Sequence, residues 1–136
     1  MNMYSYETKI RVRYSETDRM GYVYYGNYPQ YYEVGRAELM RSLGYSYLQL
    51  ENIGIIMPVQ SINIRYLHPA FYDDELTIKT IVRNMPTSRM KFEYEIYNAD
   101  GKIINKGDAT LGFINAKTRK AMRPPKEILD TFKTLI

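Results

Sequence analysis

The sequence predicts an α+β protein in which one long helix is carried by an antiparallel sheet. Two patterns indicate this class. Residues 4–14 and several later segments alternate between apolar and polar side chains, whereas residues 27–43 repeat apolar side chains every three or four positions. The chain has 136 residues, the usual size of one compact unit. We therefore expect residues 1–136 to form a single domain.

The first strand and the long helix are predicted in the N-terminal third. The alternation predicts a strand over residues 4 to about 14. Asn27 is a favoured N-cap residue, so we expect the helix to begin near it, to run to about Leu43 and to stop at Gly44. One face of this helix is predicted to pack on the sheet, and it consists of Tyr28, Tyr32, Gly35, Leu39 and Leu43. Charged residues predicted to form ion pairs on the other faces are Glu33, Arg36, Glu38 and Arg41.

The rest of the chain predicts mostly strands. Alternation and turn signals indicate strands at 55–66, 75–84, 89–97 and 102–115, with a short one at about 120–123. Short helices are expected over residues 47–52 and 126–135. Two small residues, Gly107 and Ala109, leave room on the sheet for the long helix. Gly35 costs about 1 kcal/mol relative to alanine inside a helix, and close approach to the sheet would offset that cost.

Composition excludes several classes of site. The chain has no cysteine, which excludes disulfides and thiolate catalysis, and its one histidine, His68, cannot build a histidine-rich metal site. The net charge is +4, and the sequence has no run of five residues of like charge, so no nucleic-acid partner is predicted. No apolar run approaches the ~18 residues of a membrane helix, and residues 1–9 lack a signal-peptide core. We expect a cytoplasmic protein without membrane insertion, and its fifteen tyrosines favour self-association.

Asp18 is the main candidate for chemistry. It lies in a polar turn before the long helix, and an aspartate in a turn often binds its own backbone in an Asx turn. The alternative is functional. If residues 18–25 fold back, the N–H groups of Tyr25 and Gly26 at the helix N-terminus can stabilise an oxyanion at a carbonyl. Asp18 would then attack that carbonyl or activate a water molecule.

A wider pattern around Asp18 resembles the signature of the hotdog-fold acyl-CoA thioesterases. It is similar to the 4-hydroxybenzoyl-CoA thioesterase branch, and more similar to the small bacterial thioesterases near the Tol–Pal genes. The resemblance covers nearly the whole chain. The residues that carry it are Tyr14, Thr17, Asp18, Gly21, Val23, Tyr24, Asn27, Tyr28, Glu33, Gly35, Arg36, Glu38, Arg41, Pro69, Ala70, Tyr72, Asp73 and Asp74.

The resemblance implies a long central helix wrapped by five or six antiparallel strands. It also implies protomers paired edge to edge, dimers that pair into a homotetramer, and an active site at the dimer interface. In that family the residue matching Asp18 is the nucleophile or general base, and the backbone N–H matching Tyr25 binds the oxyanion. Tol–Pal-type members usually carry histidine where this chain has Tyr25. That change keeps the backbone donor and removes an imidazole, so the Tyr25 ring either lines the acyl pocket or packs the helix on the sheet.

Further binding residues are predicted around this centre. Gly26 is a second candidate donor, and Glu33 either orients the helix end or stays exposed. The resemblance places basic residues at the mouth of the site. Arg83, Arg89 and Lys91 surround a break at Met85-Pro86, where they either meet CoA phosphates or remain solvated. His68, which precedes Pro69, is expected to be structural, and a catalytic role for it is the alternative.

We therefore predict an acyl-CoA thioesterase that releases a free acid and CoA. The resemblance implies no metal, and no cofactor besides the CoA of the substrate. Two alternatives are an acyl-carrier-protein thioesterase on the same fold and a non-catalytic acyl-CoA-binding protein. The preference for one acyl group is not predicted.

Overall fold

A computed structural model describes residues 2–136, so Met1 of the predicted domain lies outside the described residues. The elements are β1 (Tyr4–Arg11), α1 (Tyr28–Ser42), α2 (Tyr47–Asn52), β2 (Ile55–Ile56), β3 (Val59–Tyr66), β4 (Glu75–Val82), β5 (Arg89–Tyr97), β6 (Ile103–Gly112), β7 (Ile114–Asn115) and α3 (Lys126–Leu135). Five strands form one antiparallel sheet in the order β1-β4-β5-β6-β3, and two short strands, β2 and β7, pair separately. The predicted α+β class, with one long helix on an antiparallel sheet, is confirmed.

Several predicted strands are shorter than expected. The segment 55–66 divides into β2 and β3 at Met57-Pro58, and the segment 102–115 divides at Phe113, whose N–H binds the carbonyl of Ser88 at 2.8 Å. The first strand ends at Arg11 because the next amide, Val12 N–H, binds the carbonyl of Asp74 at 2.9 Å. The predicted strand at 120–123 is reduced to one bridge between Ala121 and Ile114. Local turns and hydrogen bonds to distant segments determine where these strands end. The alternation of apolar and polar residues does not predict these boundaries.

Helix α1 packs closely against β4, as Gly35 predicted, and its Tyr32 side chain reaches β6. A side-chain Cβ at Gly35 would lie 2.8 Å from Cγ2 of Ile78 and would also collide with the Thr80 hydroxyl. A Cβ at Gly107 would lie 2.7 Å from the hydroxyl of Tyr32 and would collide with the Asn63 carbonyl. Gly35 therefore allows a helix–sheet distance that a larger residue would prevent, and Gly107 leaves room for the Tyr32 hydroxyl and the β3 backbone.

The prediction for Arg36 was wrong. Its side chain is only 6% exposed, and its Nη1 donates to the Tyr94 hydroxyl at 3.5 Å. Arg36 lies one turn after Tyr32, on the helix face that contacts the sheet, and the Tyr32 ring stacks on Tyr94 with centroids 4.1 Å apart. Glu38 and Arg41 do form the expected surface ion pair. The Tyr94 hydroxyl gives the buried guanidinium a hydrogen-bond partner between the helix and the sheet.

Strand β3 forms an open edge of the sheet. It pairs with β6 on one side, and no strand within residues 2–136 pairs with its other side. The edge carries apolar side chains that are partly exposed, including Val59 at 46%, Ile62 at 37% and Tyr66 at 48%. An open edge with exposed apolar residues can pair with another strand.

Among residues 2–136, no helix combines the length and apolar character required to cross a membrane.

Candidate functional site

Asp18 lies at the start of a tight turn held by backbone hydrogen bonds. Its N–H binds the Tyr22 carbonyl and its own carbonyl accepts from Gly21 N–H, both at 3.0 Å. Gly21 has a φ of +89°, a backbone conformation that favours glycine. One bridge, from Thr17 to Val23, closes the base of the turn. These bonds therefore fix the backbone conformation at Asp18.

The two oxygens of the Asp18 carboxylate have different surroundings. Oδ1 accepts the Met20 N–H at 2.8 Å, so the Asx turn is present. Oδ2 has no hydrogen-bond partner within the described part of the chain, and Asp18 lines an open groove. One oxygen thus fixes the side chain and leaves the other free for a ligand. A structural turn and a reactive carboxylate are compatible in this geometry.

The chain enters the long helix through one turn of 3₁₀ helix, Tyr25–Asn27, immediately before α1. Asn27 was predicted as the N-cap, but its side chain makes no capping bond. It donates instead from Nδ2 to the Glu16 carbonyl at 2.8 Å. In the described residues, the N–H groups of Tyr25 and Gly26 have no acceptor. Two unsatisfied donors at a helix start can bind a negatively charged oxygen.

Asp18 and Tyr25 line the same groove, which has a volume of about 360 Å³. Aromatic rings form much of its wall. One side of the groove is lined by the last residue of β3 and by the loop that follows this strand. The complete lining is Asp18, Met20, Tyr22, Val23, Tyr25, Tyr28, Tyr66, Leu67, His68 and Pro69. The groove therefore combines one carboxylate and a helix start with an apolar, aromatic wall.

Tyr66 connects the edge strand to the helix start. Its hydroxyl donates to the Tyr25 carbonyl at 3.0 Å, and its ring packs edge-on against Tyr28 with centroids 5.4 Å apart. Burial raises the pKa of Tyr28 to about 12, and burial together with the nearby Tyr25 raises the pKa of Tyr66. The Tyr66 phenol is therefore protonated at neutral pH and available as a donor. Since the Tyr25 carbonyl and the Gly26 N–H belong to one peptide unit, this bond orients the second candidate donor.

The other predicted site residues lie outside the groove lining. Gly26 adjoins Tyr25, and a Cβ there would lie 2.5 Å from Cε2 of Tyr24. Glu33 is exposed on α1. Arg83 donates to Glu93 at 2.8 Å, and Lys91 lines a second groove of about 570 Å³ on the sheet face opposite the helix. Arg89 is exposed at the start of β5, so the structure does not bring the three basic residues to the Asp18 groove.

Sequence reasoning did not assign Tyr66 or His68 to the site. Tyr66 was interpreted as one residue of an alternating strand, and His68 as a structural residue of a connection. Both line the groove with Asp18 because β3 ends beside the helix start. This placement depends on the register between β3 and β6, in which Tyr66 lies opposite Asn105. The only local signal was the unusual density of tyrosine.

Residues 2–136 contain no group of three or more histidine, cysteine, aspartate or glutamate side chains arranged to hold a metal ion.

Comparison with known families assigns the chain to one of them. The family profile of the thioesterase-like superfamily matches residues 12–132, which include the Asp18 turn, the helix start and strands β2 to β7. The chain belongs to this superfamily. The Bacillus subtilis protein YneP is 38% identical over 101 residues, which cover 74% of this chain and 73% of YneP. Membership confirms the family predicted from the motif around Asp18.

Full-length relatives and solved structures agree with the assignment. The Escherichia coli acyl-CoA thioester hydrolase YbgC is 29% identical over 133 residues, which cover 98% of this chain and 99% of the relative. The DHNA-CoA thioesterase from Staphylococcus aureus is 34% identical and superposes with a TM-score of 0.91, with coverage of 96% of this chain and 89% of that structure. The hotdog-type fold of the superfamily is therefore present from β1 to α3.

Proposed function

We propose that this thioesterase-superfamily protein hydrolyses acyl-CoA thioesters to a free acid and CoA. The observation that carries the proposal is the groove in which the Asp18 carboxylate and the free N–H of Tyr25 occur together. Relatives named as an acyl-CoA thioester hydrolase and a DHNA-CoA thioesterase support this reaction class.

The proposed reaction assigns different tasks to the Asp18 carboxylate and the Tyr25 N–H. The thioester carbonyl oxygen accepts the Tyr25 N–H, and the helix start stabilises the negative charge that develops on that oxygen. In one route Asp18 takes a proton from water, the resulting oxygen attacks the carbonyl carbon, and collapse breaks the C–S bond. The CoA thiolate then receives the proton from Asp18. In the second route Asp18 attacks directly, CoA thiolate leaves, and water hydrolyses the mixed anhydride.

We also propose that the working unit is a homo-oligomer assembled through β3. The open edge and its exposed apolar side chains support pairing with the same edge of a second copy. Such pairing lies directly beside the groove, because Tyr66 belongs to β3 and lines it. A dimer of dimers, and phosphate contacts from Arg83, Arg89 and Lys91, stay predictions.

Thiol release from a panel of acyl-CoA esters tests the activity. The protein contains no cysteine, so a thiol reagent reports only free CoA. We expect catalytic release with at least one short, long or aromatic acyl group. The same acyl group on an acyl carrier protein is the matched comparison, and much faster release from the carrier would reassign the substrate. Tight CoA-ester binding with no release across the panel would contradict the proposal.

The Tyr66 hydroxyl is expected to contribute to the rate. Tyr66→Phe removes the bond to the Tyr25 carbonyl and keeps the ring. We expect kcat to fall about 3- to 10-fold with little change in KM, because one net hydrogen bond that orients the Gly26 N–H, the second candidate oxyanion donor, is lost. Tyr97→Phe is the matched control, since the Tyr97 hydroxyl binds Glu95 at 2.6 Å outside the groove. Equal kcat in both variants would contradict this role for Tyr66.

A further inference from the structure

We propose that Glu16, Asn27 and Tyr31, here called the Glu16 cluster, position the Asp18 turn against the start of helix α1. The inference deepens the proposed function, and it rests on the assignment of Asp18 and Tyr25 as the reacting groups. None of the three lines the groove, so we assign them as positioning residues.

The Glu16 backbone makes the first connection. Its carbonyl accepts the Tyr24 N–H at 2.9 Å and the Asn27 side-chain amide at 2.8 Å. Glu16 lies two residues before Asp18, and its two donors lie on either side of Tyr25 and Gly26. One carbonyl therefore joins the segment that carries the carboxylate to the segment that carries the oxyanion donors.

The Glu16 side chain makes a second connection, one turn further along the helix. Oε1 accepts the Tyr31 hydroxyl and the Arg13 N–H, both at 2.9 Å. The Glu16 side chain is 13% exposed and Tyr31 is 3% exposed, so water competes weakly for these bonds. Burial first, and then the bond to Glu16, raises the pKa of Tyr31, which keeps the hydroxyl protonated as a donor.

Asn27 supplies independent support for this assignment. Asparagine at a helix start usually accepts a backbone N–H of the first turn. Here the side chain makes no capping bond and donates to the Glu16 carbonyl. The Asn27 side chain therefore binds the segment that carries Asp18 and does not cap the helix. Because Tyr24, Asn27 and Tyr31 all bind one residue, the attachment has three points.

The proposed chemistry requires such an attachment. Backbone hydrogen bonds hold residues 18–22 as a turn, but these bonds do not reach Tyr25. The six residues between Asp18 and Tyr25 therefore do not by themselves fix the distance between the two reacting groups. A displacement of about 1 Å between reacting groups can cost roughly 100-fold in rate. The Glu16 cluster sets this distance from outside the groove, without contact to the substrate.

Tyr31→Phe in the full-length protein tests the inference. The variant removes one hydroxyl and keeps the buried ring. We expect kcat to fall about 10-fold while KM changes less than about 2-fold. Hydrogen–deuterium exchange should accelerate in a peptide that spans residues 14–27. Tyr4→Phe is the matched control, because the Tyr4 hydroxyl binds the Ser42 hydroxyl at 2.9 Å at the opposite end of α1, and it should behave as wild type in both measurements.

Two further variants keep the inference testable if Tyr31→Phe folds poorly. Asn27→Asp replaces the amide donor with an acceptor facing the Glu16 carbonyl, and it should also lower kcat and accelerate exchange in residues 14–27. Glu16→Gln keeps a side-chain oxygen for Tyr31 and should retain most of the wild-type kcat. These two results together would separate positioning from general stability.

Two outcomes would overturn the inference. In the first, Tyr31→Phe and Asn27→Asp have the same kcat and the same exchange rate in residues 14–27 as the control Tyr4→Phe. The other is a loss of kcat/KM that resides entirely in KM, which would indicate substrate binding. Failure of the proposed function is a different result, namely no CoA release by the wild type. In that event the exchange measurement alone decides whether the cluster holds the turn.

Discussion

Asp18→Asn is expected to lower kcat on acyl-CoA esters by roughly 1,000-fold or more. An amide is neutral, so it neither attacks the thioester carbon nor accepts a proton from water at neutral pH. The fold should be retained, because the asparagine side-chain oxygen can still accept the Met20 N–H that Asp18 Oδ1 accepts at 2.8 Å. Steady-state thiol release measures the effect, and size-exclusion chromatography checks that the oligomer is unchanged.

Asp74→Asn is a matched control for this variant. Asp74 is also a turn aspartate whose carboxylate accepts a backbone N–H, that of Phe71 at 2.8 Å, and it does not line the groove. We expect its kcat to stay within about 3-fold of wild type. Turnover by Asp18→Asn at a similar level would remove Asp18 from the mechanism and leave the helix start as the only assigned reacting element.

Gly107→Ala is expected to have the largest effect on stability. The added Cβ would collide with the Asn63 carbonyl of β3 and would lie 2.7 Å from the Tyr32 hydroxyl of α1. The Asn63 carbonyl belongs to the backbone of β3, which is paired with β6, so it cannot move aside without displacing that pairing. We expect a loss of about 2–3 kcal/mol in the free energy of unfolding, which lowers Tm by roughly 6–12 °C for a chain of this size.

Gly112→Ala on the same strand is the matched control. Its Cβ would lie 2.6 Å from Nε2 of Gln60, the end of a flexible side chain that can rotate away. We expect its loss to stay below about 1 kcal/mol, as for a substitution without backbone conflict. Thermal unfolding followed by circular dichroism measures both variants. Equal Tm values for the two would contradict the close packing of Gly107 against the β3 backbone and the Tyr32 hydroxyl.

Local patterns predicted the fold well where each residue's environment depends on its own element. Alternation in β4 correctly assigned Leu76, Ile78, Thr80 and Val82 to the buried face, since successive strand side chains point to opposite sides. The interior Gly35 correctly predicted close contact with the sheet. In both cases the signal is intrinsic to the strand or helix, and tertiary contacts reinforce it.

Features that depend on distant partners were missed. Arg36 is buried because Tyr94, on β5, offers its hydroxyl beneath the helix, and charge alone predicted a surface position. Asn27 bonds Glu16 instead of capping the helix, since the Asp18 segment passes within reach. Tyr66 and His68 reach the groove through the pairing of β3 with β6. Asp18 was found because its neighbourhood is short in sequence and carries a recognisable motif.

The structure of Asp18→Asn bound to a slowly turned-over acyl-CoA ester is the most direct test of the central claim. We expect the thioester carbonyl oxygen to lie about 2.7–3.1 Å from the Tyr25 nitrogen, with the thioester carbon facing residue 18. The acyl group should contact the aromatic wall that includes Tyr28 and Tyr66. A thioester bound away from residue 18, for example in the groove lined by Lys91 on the opposite sheet face, would contradict the account.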